Sequence, residues 1–309
     1  TFQPNQTRNP LRLTHTPGGS SSGSAAAVAD SMVPLAIGTQ TAGSLIRPAS
    51  YCGIVAFKPS FGCIARAGAK LLSDTLDTVG TMARTVPDAA LFAAAMSGRH
   101  AWLVKPLNEV LSRPLRIGIC RTYEWNQAGA DTQNALANAE RLLKKERVFE
   151  VKDLKLPTDF ETLAQAQTQV QLFEQAHNLV HEYLAHFSQL SPRLQGILKS
   201  GKDISHAQYD AALQHIAKCR MQLQTIFQEV DVLLAPSAQG EAPDNLDNTG
   251  DPVFCRIWTV LHTPAINVPA GLGAHGMPVG LQVVGNFGGD ALALAAAHAV
   301  HQCLDGVNH

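Results

Sequence analysis

No apolar run in this sequence is longer than the eight residues from Ala89 to Met96. A bilayer-spanning helix needs about 20, so no segment is expected to cross a membrane. Neither sign of charge dominates: Lys+Arg total 24 against Asp+Glu 25, a formal charge of −1. With no positive excess there are few counterions to release from a phosphate backbone, which argues against direct nucleic-acid binding. The six cysteines, Cys52, Cys63, Cys120, Cys219, Cys255 and Cys303, include no C-x-x-C pair. They read as reduced thiols of a cytoplasmic protein, not as a disulfide framework or a zinc site. No His/Cys/Asp group has metal-ligand spacing, so no metal and no other cofactor is expected. Thr1 to Arg12 is polar and lacks the apolar centre of a secretory signal. The chain starts on Thr1 rather than Met, and a fragment or a processed product is the reading of that start.

What is present is the composition of a globular protein: of 309 residues, 45% are hydrophobic and 16% charged. A chain this apolar can bury enough surface to offset its conformational entropy. Gly18 to Ala27 has the composition of a linker, yet it runs into a helical Ala25–Ala29 and an apolar strand, Val33–Ile37. Ala89–Met96 is expected to be a helix capped by Asp88, with Pro87 just ahead of it. Leu115–Cys120 alternates as a strand, Thr132–Arg147 carries Leu136, Ala139, Leu142 and Leu143 on one helical face, and a strand spans roughly Val148–Leu156. The Gln- and Leu-rich stretch from Phe160 to Val230 reads as three helices broken near Ser191-Pro192 and Ser200-Gly201. Asp231–Ala235, Ala265–Val268 and Val279–Val284 are short strands bounded by Pro or Gly, and an Ala-rich helix, Ala291–Cys303, follows. Strands alternating with helices give an α/β sheet covered by helices, mostly one domain. Strand directions are not legible from these patterns.

Two glycine–serine segments carry the chemistry: Pro17-Gly18-Gly19-Ser20-Ser21-Ser22-Gly23-Ser24 and Gly38-Thr39-Gln40-Thr41-Ala42-Gly43-Ser44. Glycines let backbone approach a ligand and aim N–H groups into a cavity. Thr41, Ala42, Gly43 and Ser44 could then donate to a developing oxyanion, often the largest catalytic term. A serine ending such a turn is placed as a nucleophile, but needs a base. None of the twelve histidines falls in a catalytic motif; His15 and His262 read as surface or satisfied residues. Ala42 and Ile46 occupy the positions flanking Ser44, so no Gly-x-Ser-x-Gly elbow is present.

These segments, with Cys52-Gly53, Phe57-Lys58-Pro59-Ser60-Phe61-Gly62, Leu76-Asp77-Thr78-Val79-Gly80, Ala83-Arg84-Thr85, Asp231–Pro236, Pro264–Gly271 and Pro278–Gly285, closely resemble the amidase signature family. The likeness covers both ends of the chain, and the helical middle, about 158–230, corresponds to the family's variable part within one amidase signature domain, 1–309. The resemblance implies a mixed central sheet with helices on both faces and a Ser-cis-Ser-Lys triad. Ser44 matches the nucleophile that forms an acyl-enzyme. Ser20 matches the bridging serine, whose peptide bond from Gly19 would be cis. It would pass a proton between Ser44 and a neutral lysine, whose pKa burial would lower from about 10.4, and return it to the leaving amine. Ser21, Ser22, Thr39 and Thr41 could support that relay, or be ordinary turn chemistry.

Two departures from the family pattern stand out. The family's lysine lies upstream of both serines, whereas all ten lysines here follow Ser44. Lys58 belongs to a structural motif, and Val151-Lys152-Asp153 only echoes the family's lysine motif. The expectation is therefore that a segment carrying the lysine precedes this sequence, that no catalytic lysine lies within it, and that the chain as written is a poor catalyst. The second departure is Arg47, three residues after the nucleophile rather than two, a spacing similar to malonamidase-type members acting on small acidic amides. Arg pairs bidentately with carboxylates, so Arg47 is expected to receive a carboxylate or carboxamide of the substrate; the alternative is a structural acid partner. Gln239, after a strand end, is a second substrate contact. The leading expectation is hydrolysis of a linear carboxamide, a small-molecule substrate. The alternatives are the A subunit of a tRNA-dependent glutamine amidotransferase, and a catalytically inactive fold used for binding. The helical insert reads either as pocket lining or as a dimer face, leaving a homodimer or a small accessory subunit open as partner.

Overall fold

The computed structural model of the protein describes residues 6–305. The chain forms α1 (Ser22–Ala29), β1 (Leu35–Gln40), α2 (Ile46–Cys52), β2 (Val55–Lys58), β3 (Thr78–Ala83), α3 (Val86–Ser97) and α4 (Leu107–Val110). Next come β4 (Leu115–Cys120), α5 (Ala130–Leu143) and β5 (Phe149–Leu154), then four helices, α6 (Leu163–Asn178), α7 (Val180–Ala185), α8 (Pro192–Lys202) and α9 (His206–Glu229). β6 (Val232–Pro236), α10 (Val253–Val260), β7 (Ala265–Leu272), β8 (Pro278–Gly285) and α11 (Asp290–Asp305) complete the described chain. All eight strands join one sheet in the order β1-β3-β2-β7-β8-β6-β4-β5. The sheet is mixed: β4 runs parallel to β5 and β6, and the other neighbours are antiparallel.

Successive residues of a strand face opposite sides of a sheet, and here each side has its own core. Leu233 and Ala235 of β6 face the core shared with α1, α2, α6, α9 and α10. Val232 and Leu234 face the core built with α3, α5 and α11. Burial on both faces is why β6 reads as a continuous apolar run instead of an alternating one. Among the described residues, no helix is long and apolar enough to cross a membrane.

Several elements differ from the sequence expectation. β1 starts at Leu35 and runs to Gln40, so the second glycine–serine segment begins inside a strand. β2 and β3 are additional strands. β2 has only four residues, the apolar Val55, Ala56 and Phe57 and a fully buried lysine, while β3 carries Thr78, Gly80 and Thr81, so β2 is too short and β3 too polar to read as strands. Gly80 is required there, since a Cβ would lie 2.3 Å from the Phe57 carbonyl oxygen. α3 is capped by Thr85, whose side chain accepts from Asp88 N, and not by Asp88; Pro87 belongs to the first turn, which puts the cap earlier. α8 continues through Ser200-Gly201. A Cβ on Gly201 would sit 2.1 Å from the Leu172 carbonyl oxygen, so this glycine serves close packing of α8 on α6. The break comes at Asp203, after which Ser205 and Gln208 form a capping box for α9.

Candidate active site

The first residues of α2 gather the two glycine–serine segments. Gly18, at φ +80°, lies against Pro48, where a Cβ would come within 2.7 Å of Pro48 Cα. Cys52 Sγ donates to Pro17 O at 3.4 Å, and Ser21 N donates to Ser44 O at 3.3 Å. Ser20 therefore sits one residue from a backbone bond to Ser44. The Gly19–Ser20 peptide is cis, the geometry expected from the resemblance. Ser21 and Ser24 also finish the edge of β1: Ser21 Oγ accepts from Thr39 N and donates to Thr39 O, both at 3.2 Å, and Ser24 Oγ donates to Ile37 O at 2.7 Å. Side-chain partners of this kind blunt an otherwise open strand edge.

The stretch Thr41–Ser44 has an unusual division of backbone partners. Every carbonyl is held: Thr41 O by Gln167 Nε2 (3.0 Å), Ala42 O by Thr259 Oγ1 (2.7 Å), Gly43 O by Arg47 N (3.0 Å) and Ser44 O by Ser21 N (3.3 Å). Among the described residues, no acceptor meets the N–H groups of Thr41, Ala42, Gly43 or Ser44. Gln40 Oε1 instead takes the next two, Leu45 N and Ile46 N, at 3.0 and 3.1 Å, while Gln40 Nε2 donates to Thr259 Oγ1 at 2.9 Å. The Thr41 hydroxyl donates to Asp77 Oδ1 at 2.5 Å, and the same carboxylate accepts from Leu72 N and Ser73 N. Glu174 of α6 extends this bracing, accepting from Ser73 Oγ, Thr75 N and Oγ1, and Tyr209 OH. The helical insert thus holds the turn from one side. A cavity of about 120 Å³ beside Ser20 is lined by Thr39, Thr41, Arg66, Lys70 and Asp77, among others.

Arg47 is buried at 4% exposure and has no acid partner within hydrogen-bond distance. Its Nε donates to Thr249 O (2.6 Å) and its Nη2 to Gly19 O (2.6 Å) and Thr249 Oγ1 (3.1 Å), while Nη1 is buried and meets no acceptor among the described residues. Nη1 lies beside the N–H row, 3.2 Å from where a Gly43 Cβ would be. Burial holds the guanidinium below its usual pKa, and pushes the neighbouring Cys255 thiol up to about 12, which keeps that sulfur protonated and a poor nucleophile. Ser22 Oγ donates to Ser20 O at 3.4 Å. Gln239 is not brought to this group by any contact among the described residues; its carbonyl accepts from Gly129 N at 2.6 Å.

Three lysines have partners of their own: Lys58 is fully buried with Nζ on Pro59 O and Thr263 O, Lys70, which lines the cavity beside Ser20, pairs with Glu182, and Lys152 of β5, at the opposite edge of the sheet from β1, pairs with Glu229 of α9. His15 meets Thr14 Oγ1 and Asp244, and His262 stacks on Phe61 at 4.0 Å with its pKa pushed by burial down to about 3. Both are satisfied structural residues. Sequence reading missed Gln40, Gln167, Thr249 and Thr259. Only Gln167 carried a signal: with Gln171 and Glu174 it puts polar groups at i, i+4 and i+7 on one face of a helix, and Gln167 and Glu174 are buried.

The family model described as Amidase matches residues 3–294. The chain is 33% identical over 334 residues to the A subunit of glutamyl-tRNA(Gln) amidotransferase from Neisseria meningitidis serogroup B, covering 95% of this chain and 69% of that relative. To the same subunit of Ralstonia pickettii it is 33% identical over 355 residues, 96% of this chain and 71% of the relative. Among solved structures it is similar to native peptide amidase from Stenotrophomonas maltophilia, with a TM-score of 0.79 and 28% identity over 97% of this chain and 68% of that one. It is also similar to the A subunit of the Thermotoga maritima glutamyl-tRNA(Gln) amidotransferase, at a TM-score of 0.80 and 27% identity over 95% and 67%. The chain belongs to the amidase family, the amidase signature enzymes that act on the carbon–nitrogen bonds of amides.

Proposed function

We propose that the chain cleaves a linear carboxamide through a seryl acyl-enzyme on Ser44. The observation that carries this is the N–H row from Thr41 to Ser44: four donors that meet no acceptor among the described residues, on a turn whose carbonyls are all held. Buried backbone donors are nearly always paired, so a row left open is suited to an oxygen that arrives with the substrate and gains charge in the transition state. Ser44 Oγ bonds to the carbonyl carbon, its proton passes through Ser20, and the C–N bond breaks as that proton reaches the departing nitrogen. Water then releases the acid and restores Ser44. Ser22 and Thr39 support Ser20. The free Nη1 of Arg47 donates to an oxygen of the acyl portion, which favours a small acidic or polar amide. The six free cysteines support a cytoplasmic setting.

Labelling of the full-length protein by a fluorophosphonate, in which Ser44 Oγ displaces fluoride at phosphorus, tests the reading. Mass spectrometry is expected to place the adduct on Ser44, and Ser44→Ala to abolish it; adduct elsewhere, or none, overturns the proposal. The relatives named as amidotransferase A subunits favour a second reading, in which the same chemistry releases ammonia from glutamine for a partner subunit. Glutaminase activity that appears only with a copurifying partner would select it over free amide hydrolysis.

A further inference from the structure

We propose that Thr249 is a positioning residue that sets Ser20 through Arg47. The inference rests on the reading of Ser20 as the bridging hydroxyl. Thr249 comes from the loop between β6 and α10, some 200 residues from the segments it touches, and no motif singles it out. Three contacts converge on it. Its carbonyl accepts from Arg47 Nε at 2.6 Å, its hydroxyl accepts from Arg47 Nη2 at 3.1 Å, and its Cγ2 covers Gly19, where a Cβ would approach to 2.6 Å. The same Nη2 donates to Gly19 O at 2.6 Å, the carbonyl of the peptide that leads into Ser20.

A guanidinium is a rigid plane with its donors in fixed directions. Fixing Nε and Nη2 on Thr249 therefore fixes where Nη2 meets Gly19 and where the unpartnered Nη1 points beside Gly43. One plane thus registers the Ser20 segment against the Ser44 turn. The loop's own placement is independent of Arg47. Pro243 O accepts from Thr16 N at 3.1 Å and Asp244 meets His15 at 3.3 Å, both just ahead of Gly18, while Gly250, at φ +76°, packs on Tyr51. Asn248 Oδ1 accepts from Gly250 N at 2.9 Å and shapes the turn that presents Thr249.

The hydroxyl and the methyl of Thr249 do separate jobs, so three variants dissect them. Thr249→Val keeps the methyl and removes the acceptor; it is expected to slow fluorophosphonate labelling of Ser44 about tenfold. Thr249→Ser restores the acceptor and is expected to label within about twofold of the wild type, and Thr249→Ala to be at least as slow as Val. Urea midpoints of all three establish that each is folded. In protein labelled with ¹⁵N-arginine, the Arg47 Nη signals, separate while rotation is hindered, are expected to merge in Thr249→Val and not in Thr249→Ser. A merely structural threonine would lower the urea midpoint and leave the labelling rate of folded protein unchanged. Wild-type protein labelled on Ser44, with Thr249→Val labelled equally fast or its Arg47 signals unmoved, overturns this inference alone. Wild-type protein that is never labelled overturns the acyl-enzyme reading and this inference with it.

Discussion

Two polar turns in this molecule leave a strand of the same sheet and are buried in the same way, yet they differ in what they leave open. At Lys58–Ser60, where β2 ends, the polar side chains are closed within the turn or by other parts of the protein. Lys58 Nζ donates to Pro59 O and Thr263 O, Ser60 N and Oγ donate to the Asp290 carboxylate at 2.8 and 2.6 Å, and Ser60 Oγ accepts from Gly288 N. At Thr41–Ser44, after β1, the carbonyls are closed and the N–H groups are open. Both turns belong to family motifs, and both hold residue types found in catalysis. A closed network spends its polarity on the fold, whereas a network closed on one side only is rigid and still has donors to offer, the requirement for preorganised charge stabilisation. That contrast separates a buried lysine that holds two carbonyls from the serine we propose as the nucleophile.

The largest expected effect breaks the closed turn. Asp290→Ala removes the acceptor of two buried donors and leaves them unpaired, at about 1–3 kcal/mol each when nothing replaces it. A loss of roughly 3 kcal/mol in urea unfolding is expected, with Ser44 labelling of the folded protein unchanged. If labelling falls in protein that is still folded, the two turns are not separate systems and the contrast fails.

A smaller effect is expected from the brace of the open turn. Thr259→Val is nearly isosteric and takes the donor from Ala42 O and the acceptor from Gln40 Nε2. Two buried groups lose a partner, which implies a cost of about 2 kcal/mol in stability. Ala42 and its neighbours would also lose their fixed aim, so the labelling rate is expected to fall about tenfold or more. A rate loss disproportionate to the stability loss is what distinguishes the open turn from the closed one, and equal losses in both would remove that distinction.

These braces also show where the sequence stopped being informative. β4, β6, β7, β8 and α11 were legible because two-sided burial and helical patterning write apolar residues at fixed periods. β2 and β3 were not, because Lys58 and Gly80 are there for a buried hydrogen-bond network and a close backbone approach, which leave no periodic trace. The cis Gly19–Ser20 peptide was expected from the family resemblance, and the turn at Thr41–Ser44 from its glycines. Thr259 and Thr249 were not: their bonds to residues 42 and 47 span 217 and 202 positions, and a single hydroxyl at that distance has no local signature. Gln239 had the appearance of a strand-end contact, yet what the fold uses is its backbone carbonyl.

The smallest expected effect is a pH dependence that tests whether Lys58 belongs to the fold alone. Burial lowers its pKa from 10.5 to about 8, against the opposing pull of Asp290. Below pH 8 the lysine is protonated whether the chain is folded or not, and its burial costs stability. Between pH 8 and 10.5 the unfolded chain still binds the proton that the folded chain has released, so stability rises with pH across that window by up to about 1.4 kcal/mol per unit. Lys58→Met removes the titration, and relative to it the wild type is expected to gain about 1–2 kcal/mol between pH 7 and pH 9.5 in urea unfolding. The labelling rate of Ser44 should have the same pH profile in both proteins. An inflection near pH 8 present in the wild type and missing from Lys58→Met would bring this lysine into the proton relay, and the closed turn would then be part of the reaction.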